Sequence, residues 1–331
     1  MRRKLLLVGL AGAAIALVGG PAVAQETVLR VAHSSNPGQS VYIYWDELAK
    51  RVNQKAAGKL RLQVHPSGQL GGDEQVFRGL KLGTIHMGSG AAANLGVVTD
   101  GYFWMDLPYV FKSRDGASRV FADSTVDAYL RNKLRNDAGT HLLGHIEVGG
   151  YRILINTKRP LKTPEDVKGL KFRALSNPVD IALLQGWGFT PTPLPWSETF
   201  PSLQQGVIDG LNLQPQAIKG FGFGDVVKYG TLTQTLMTFH VAQVSQKSWE
   251  ALSPDLQKIV QDAAAEALKI ANDADRADES KFMSELKAKV TFYTPTAEEL
   301  KRWEAPARAI WPKFQDKIDQ KVLDRVLASQ S

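Results

Sequence analysis

The chain of 331 residues contains no cysteine, and this absence excludes several architectures. Without thiols there is no disulfide framework, no cysteine-ligated zinc and no lipid on an N-terminal cysteine. The six histidines show no HExxH spacing and no GxSxG motif occurs, so common hydrolase signatures are missing. We therefore expect no metal ion, no cofactor and no catalytic residue, and we interpret His145 and His240 as structural.

Long apolar runs are also scarce, and the one at the N-terminus has the pattern of a secretory leader. Basic residues at positions 2 to 4 precede an apolar run over 5–18, and an Ala-x-Ala sequence ends at Ala24. The run is shorter than the roughly 20 apolar residues that span a bilayer, which disfavours a membrane anchor. The sequence predicts a cleaved signal peptide over 1–24 and a mature protein in the bacterial periplasm.

Charge of one sign is not concentrated anywhere in the chain. The formal net charge is +7, and removing the leader's three basic residues leaves +4. Lysines and arginines are scattered among acids, without the basic cluster or aromatic stacking motif that nucleic-acid binding requires. We expect no nucleic-acid partner, whereas an anionic ligand is compatible with the small positive excess.

Strand-like and helical patterns alternate along the mature chain, and the alternation restarts near Val148. This order predicts an α/β fold made of two units, with a boundary near Gly149-Gly150. The predicted strands are 28–32, 59–65, 84–88, 152–156 and 169–175, and the predicted helices are 42–56, 73–82, 165–168, 178–186 and 200–206.

One helical pattern is too long for either unit. It begins at Ser253 and Pro254, which suit an N-cap and a first helical position, and no further proline or glycine occurs up to Lys289. About 36 residues at roughly 1.5 Å each make on the order of 50 Å. We expect one helix that braces both units, and the alternative is a break near 273–275. A cleft between two such units is a common place for a ligand.

The stretch GLKFRAL, residues 169–175, places Arg173 inside an apolar strand. A guanidinium keeps its charge when buried, so it needs an anion or several acceptors. A carboxylate can meet it through two parallel hydrogen bonds, which a lysine cannot reproduce. The alternative is a structural ion pair with Asp209 or Glu165.

Five segments together resemble a known family. They read HPSGQLGGDEQVFRGLKLGTIHM, DLPYVF, GYRILINTKRPLKTPEDVKGLKFRA, PLPWSETFPSLQQGVIDGLNLQP and SWEALSPDLQKIVQDAAAEA. Their order and spacing resemble those of the solute-binding proteins of tripartite ATP-independent periplasmic (TRAP) transporters, over nearly the whole mature chain. The resemblance implies a two-lobed fold of the periplasmic-binding-protein type that closes on an organic acid. It also implies delivery of that acid to the small and large membrane subunits of a transporter driven by an ion gradient.

On this interpretation the two lobes are discontinuous in sequence. We expect lobe 1 to comprise residues 25–149 and about 239–278, and lobe 2 to comprise 150–238 and about 279–331. We expect a monomer that binds its ligand without catalysis. Two alternatives stay open: a secreted α/β enzyme acting on an organic acid, and a binding protein of an ATP-driven importer.

The resemblance assigns roles to three residues of lobe 2. It implies that Arg173 forms the salt bridge to the ligand carboxylate. Arg152 resembles a second arginine that lines the cleft, although it could instead pair with Glu147. Trp196 occupies the place where the family puts an aromatic ring against the ligand's carbon skeleton, and its alternative is core packing.

The motif IDGLNLQP departs from the family pattern. Where the family often has a Glu-Asn or Glu-Trp pair, this chain has Asn212-Leu213, with Gln214 beyond. We expect Asn212 and Gln214 to line the site. A neutral amide in place of an acid disfavours a metal-assisted keto-acid site and leaves the ligand's identity open.

Three residues of lobe 1 are further candidates. His33, Asp73 and Asn94 follow predicted strands or turns, where a cleft would be lined, although turn and cap roles are also typical of Asp and Asn. Ala91 and Asn94 stand where a sialic-acid-binding branch has an acid and an arginine. We expect the pocket to differ from that branch.

Overall fold

The computed structural model describes residues 26–330. The predicted signal peptide lies outside the described residues. The strands are β1 (Thr27–Ala32), β2 (Leu60–His65), β3 (Met87–Ala91), β4 (Thr140–Tyr151), β5 (Ile153–Asn156), β6 (Lys171–Ala174), β7 (Thr190–Pro193), β8 (Gly210–Leu213), β9 (Tyr229–Thr231), β10 (Met237–Ser245) and β11 (Thr291–Tyr293). The α-helices are α1 (Ser40–Lys55), α2 (Asp73–Leu82), α3 (Arg114–Ala122), α4 (Ser124–Lys133), α5 (Pro178–Trp187), α6 (Trp196–Gln204), α7 (Pro215–Gly220), α8 (Gln246–Glu250), α9 (Pro254–Lys287), α10 (Ala297–Arg308) and α11 (Gln320–Ala328). Shorter helical turns are Ala92–Val97, Phe103–Asp106, Leu134–Ala138, Pro164–Val167, Phe223–Asp225 and Trp311–Lys317.

These strands form two sheets. The first has the order β2-β1-β3-β10-β4, with β1 parallel to β2 and β3 and with β10 antiparallel to β3 and β4. The second has the order β11-β9-β5-β8-β6-β7, with β6 parallel to β7 and β8. Helices cover both sheets, and the predicted two-lobed α/β fold is confirmed.

Helix α1 shows how the sequence pattern becomes packing. Tyr44, Trp45, Leu48 and Val52 recur at helical spacing, and all four are fully buried with the apolar side chains of the first sheet. Leu48 and Val52 each stabilise the fold by roughly 1.5 to 3 kcal/mol through burial. Polar residues occupy the other face of the helix, so only the apolar face can pack against the sheet.

Helix α9 is continuous over 34 residues, and the alternative break near 273–275 does not occur. The Ser253 hydroxyl caps its first turn by accepting from the backbone N–H of Leu256. Val260 is buried in the core of the first sheet, whereas Leu286 is buried in the core of the second. The helix therefore bridges both lobes, as predicted. Among residues 26–330 no helix combines the length and hydrophobicity that crossing a membrane requires.

The third strand begins later than predicted, at Met87 rather than at residue 84. Its sequence, MGSGA, has low strand propensity but is fully buried. A Cβ on Gly88 would lie 2.6 Å from the carbonyl oxygen of Ala32, so only glycine fits there. Close backbone approach explains why propensity misplaced this strand.

The chain passes from the first sheet to the second just after β4. Gly149 and Gly150 near the end of that strand have φ of +66° and +71°, which favour glycine. The backbone N–H of Arg152 then donates to the carbonyl oxygen of Leu236 at 2.8 Å. The predicted strand accordingly begins at Ile153 rather than at Arg152, which lies at the crossing.

Candidate ligand-binding site

A cavity lies at the boundary between the two lobes. It offers about 80 Å³ to the centres of water-sized molecules. This exceeds the roughly 10 to 15 Å³ that a single water requires, so the cavity has room for a small ligand. The structure brings seven of the eight predicted site residues to its wall: Asp73, Asn94, Arg152, Arg173, Trp196, Asn212 and Gln214.

Arg173 lies on β6 between β7 and β8 and is 8% exposed. Its Nε donates to the carbonyl oxygen of Leu194 at 3.2 Å. Among residues 26–330, no carboxylate forms an ion pair with this guanidinium. Its terminal nitrogens therefore keep donors for a group within the cavity.

The predicted alternative partners of Arg173 are engaged elsewhere. Asp209 accepts from the backbone N–H of Lys171 at 2.8 Å and pairs with Lys158 at 3.4 Å. Glu165 pairs with Arg302 at 2.8 Å. Neither carboxylate neutralises Arg173 in this structure.

Burial lowers the pKa of Arg173 to about 10. Asp180 and Asp73 act in the opposite direction, while the positive charge of Arg152 lowers the pKa further. The guanidinium is still protonated at neutral pH, so the site holds a desolvated cation. An anion bound in the cavity would supply the missing charge compensation.

Arg152 has its own partners, unlike Arg173. Its Nε donates to Thr238 Oγ1 at 2.8 Å, and its Nη1 lies 3.6 Å from Asp180 Oδ1. The predicted alternative, Glu147, instead pairs with Arg114 and Arg276, both at 2.7 Å. The charge of Arg152 is thus compensated within the protein.

A second buried acid lies behind Arg152. Asp106 accepts a hydrogen bond from Asn177 Nδ2 at 2.7 Å. Burial raises the pKa of Asp106 to about 7, although Arg152 acts in the opposite direction. Asp106, in the DLPYVF motif, therefore lies near enough to Arg152 for the two charges to interact.

Trp196, the first residue of α6, forms an aromatic wall. The Arg173 guanidinium carbon lies 5.8 Å from the centroid of its ring, a distance typical of a cation–π contact. Phe221 packs edge-to-face on the same ring at 4.8 Å. The tryptophan orients the guanidinium and presents an apolar surface to the cavity.

Asp73 and Asn94 form one hydrogen-bonded unit in lobe 1. Asp73 Oδ2 accepts from Asn94 Nδ2 at 3.0 Å and from the backbone N–H of Ala91 at 2.9 Å. Asp73 Oδ1 accepts from the Ser34 hydroxyl at 2.9 Å. The carboxylate is satisfied by its own lobe, and it fixes the position of Asn94.

His33 is the predicted site residue that does not line the cavity. It is 1% exposed, its Nδ1 accepts from the backbone N–H of Ser35 at 3.3 Å, and its ring packs edge-to-face on Tyr42. Burial lowers the pKa of His33 to about 3, so the ring is neutral. The buried His33 ring therefore supports the loop after β1 through its hydrogen bond with the backbone of Ser35.

His240 lines the cavity, although the sequence predicts a structural role for it. It lies on β10, two residues after Thr238, which also lines the cavity. Burial lowers the pKa of His240, and its Nδ1 is buried without a hydrogen-bond partner among the described residues. Polar residues at alternate positions of an otherwise apolar strand were the signal that could have indicated this role.

Two contacts close the boundary around the cavity. Asn36 Nδ2, in the loop before α1, donates to the carbonyl oxygen of Gly220 at 3.3 Å. Asn177 Nδ2, at the N-cap of α5, donates to the carbonyl oxygen of Ala93 at 2.9 Å. Both hydrogen bonds join a residue of the first lobe to a residue of the second.

Two lobes, a bridging helix and a cationic cavity between them define a solute-binding protein of the periplasmic type. The chain belongs to the DctP family, described as bacterial extracellular solute-binding protein, family 7, whose model matches residues 31–317. The predicted membership of the TRAP-type solute-binding proteins is confirmed. Members of this family are binding proteins.

Individual relatives agree with this assignment. The C4-dicarboxylate-binding periplasmic protein DctP of Rhodobacter capsulatus is 26% identical, covering 99% of both chains. A TRAP periplasmic solute-binding protein of Sulfurospirillum deleyianum, solved with bound succinate, has a TM-score of 0.86 at 27% identity and covers 92% of this chain and 99% of its own. Another from Polaromonas, bound to D-erythronate, has a TM-score of 0.84 at 25% identity with the same coverages.

Proposed function

We propose that this protein captures a small organic acid in the periplasm, through a salt bridge between the acid's carboxylate and Arg173. The observation that carries this proposal is the buried guanidinium without a carboxylate partner among residues 26–330, on the wall of the cavity. The likeness to proteins solved with succinate and with D-erythronate supports an acidic ligand. The protein acts as a carrier without catalysis.

The acid is then delivered to the small and large membrane subunits of a TRAP transporter. Family membership supports this partner. Delivery requires that the lobes open and close, and the predicted lobes, 25–149 with 239–278 and 150–238 with 279–331, move about the crossing near Gly149. The bond from Asn36 to Gly220 favours the closed arrangement, which a bound acid stabilises by contacting both lobes.

Thermal unfolding of protein stripped of co-purified ligand tests this proposal. A ligand at 100 times its dissociation constant adds about 2.7 kcal/mol to the free energy of unfolding. A panel of small organic acids should therefore contain compounds that raise the melting temperature, whereas neutral sugars and cationic amino acids should not. Each acid should be recovered intact after long incubation. A neutral compound that binds more tightly than every acid, or turnover of an acid, would contradict the proposal.

A further inference from the structure

Asn212 is the most unusual polar residue of the cavity wall. It lies on β8, where its neighbours Leu211 and Leu213 are buried in the apolar core of lobe 2. Both its Oδ1 and its Nδ2 are buried, and neither has a hydrogen-bond partner among residues 26–330. Burying an amide without partners costs stability, so this side chain is explained by a partner that the ligand supplies.

His240, from the opposite lobe, lines the same cavity and also has an unpartnered polar atom. Its Nδ1 is buried without a partner among the described residues, and burial lowers the pKa of the ring. A neutral imidazole nitrogen either donates or accepts, depending on its tautomer. Together, Asn212 and His240 offer a donor, an acceptor and one adaptable group, and none of the three carries charge.

The charges of the cavity leave one cation uncompensated. Arg152 pairs with Asp180, whereas Arg173 has no carboxylate partner among the described residues. The remaining charged group on the wall is Asp73, whose negative charge would repel a second carboxylate of the ligand. The site therefore suits one carboxylate together with neutral oxygen groups.

We infer that the ligand is a small monocarboxylate with at least one hydroxyl group, and that Asn212 and His240 select it against dicarboxylates. A hydroxyl both donates and accepts, so it satisfies an amide and an imidazole nitrogen at once. A dicarboxylate would instead bury a second negative charge against groups that cannot neutralise it. This inference rests on the proposed function, because it assumes that Arg173 holds the carboxylate.

Calorimetric titration with acids of matched length tests the inference. The four-carbon set comprises butyrate, its 2-, 3- and 4-hydroxy derivatives, erythronate and succinate. A six-carbon set of hexanoate, gluconate and adipate covers a longer ligand. At least one hydroxylated monocarboxylate should bind ten times or more tightly than the plain acid and the dicarboxylate of the same length.

The variant Asn212→Leu keeps the side-chain size and removes both polar atoms. The affinity for a hydroxylated acid divided by the affinity for the plain acid should fall at least tenfold in this variant. The reason is that a site built to bind a hydroxyl rejects ligands that lack one. The exposed Asn132→Leu serves as the matched control and should keep the wild-type ratio. Thermal unfolding checks that each variant folds, and Asn212→Ala replaces the leucine variant if that one does not.

The outcomes separate this inference from the proposed function. If succinate or adipate is the tightest ligand, or if Asn212→Leu weakens plain and hydroxylated acids equally, the inference is wrong while acid binding stands. If no acid in either set or in the broader organic-acid panel binds, both are wrong. Tight binding of a hydroxylated acid with an Asn212-dependent ratio supports both.

Discussion

Arg152 and Asp180 form a buried ion pair with 3.6 Å between Nη1 and Oδ1, whereas Arg173 has no carboxylate partner among residues 26–330. The two arginines share a desolvated region, in which the charge of Arg152 lowers the pKa of Arg173. They nevertheless differ in their partners. Arg152 contacts Asp180 and Thr238, whereas Arg173 forms no ion pair with a carboxylate among residues 26–330.

Replacement of Arg173 should abolish tight acid binding without unfolding the protein. Removing one partner of a buried charge pair costs about 3 to 5 kcal/mol, which corresponds to roughly two to three and a half decades in dissociation constant. Arg173→Lys should recover only part of this loss, since lysine cannot form the paired hydrogen bonds. Titration calorimetry measures both variants. Normal binding by Arg173→Ala would show that this arginine is structural.

Replacement of Arg152 should act mainly on stability. Arg152→Ala leaves the Asp180 carboxylate buried without its cation, and we expect a loss of about 3 to 5 kcal/mol in the free energy of unfolding. Asp180→Asn in the same chain should restore part of that loss, because the amide oxygen can still accept from the backbone N–H of Leu175. Urea unfolding provides the measurement. A double variant no more stable than Arg152→Ala would argue against the pair as the cause.

Asp106 should make stability depend on pH. Burial raises its pKa from 3.8 to about 7 in the folded protein, so the folded state binds more protons than the unfolded state between these values. Its contribution to the free energy of unfolding therefore falls as the pH rises from about 4 to about 7. Asp106→Asn should match the wild type below pH 4 and exceed it by on the order of 2 to 4 kcal/mol at pH 8. Lower stability of the variant at pH 8 would show that the charged form is favoured.

Gly149 should be intolerant of a side chain for two separate reasons. It has φ of +66°, and a Cβ there would lie 2.9 Å from Gln216 Cβ. Gly58 has φ of +82° with nothing within 4 Å of the position that a Cβ would take, so Gly58→Ala isolates the backbone cost of about 1 to 2 kcal/mol. Gly149→Ala should cost more than this control and should also weaken acid binding, because Gln214 of the cavity wall lies beside it. Equal costs in urea unfolding would exclude a steric role.

Closure of the lobes should be visible in solution. Small-angle scattering should show a smaller radius of gyration at saturating acid than in ligand-free protein, because the acid stabilises the state in which it contacts both lobes. Asn36→Ala removes the bond to the Gly220 carbonyl and should weaken binding while leaving the fold intact. A radius unchanged by saturating ligand would indicate a preformed pocket.

The sequence predicts the elements that depend on periodicity and capping. Helix α2 coincides with the predicted 73–82, and α9 continues as expected from its uninterrupted apolar pattern. Strand β3 was misplaced because Gly88 is required by its close contact with β1 and Gly90 by its close contact with α2, which no local pattern reveals. Tertiary packing, rather than local strand propensity, therefore determines the position of β3 in the sequence.

The binding site, like the fold, has features that the sequence predicts and features that it does not. Arg173 and Trp196 could be identified because each is unusual where it stands and because the resemblance gives it a role. The pairing of Arg152 with Asp180 could not be identified from the sequence, since the two residues belong to segments that meet only in the folded chain. The exposure of His240 to the cavity likewise depends on the pairing of β10 with β3 and β4.

The place of β10 in the first sheet also constrains the order in which the protein can fold. This strand, Met237–Ser245, lies between β3 and β4, yet it follows every strand of the second sheet except β11 along the chain. A nascent chain that ends before residue 237 has β3 and β4 but lacks the strand that joins them. The first sheet therefore cannot be completed until residues 237–245 have been synthesised, and long-range pairing of this kind is slow. Because the strands of the two sheets interleave along the chain, neither sheet can be obtained by a single cut of the chain.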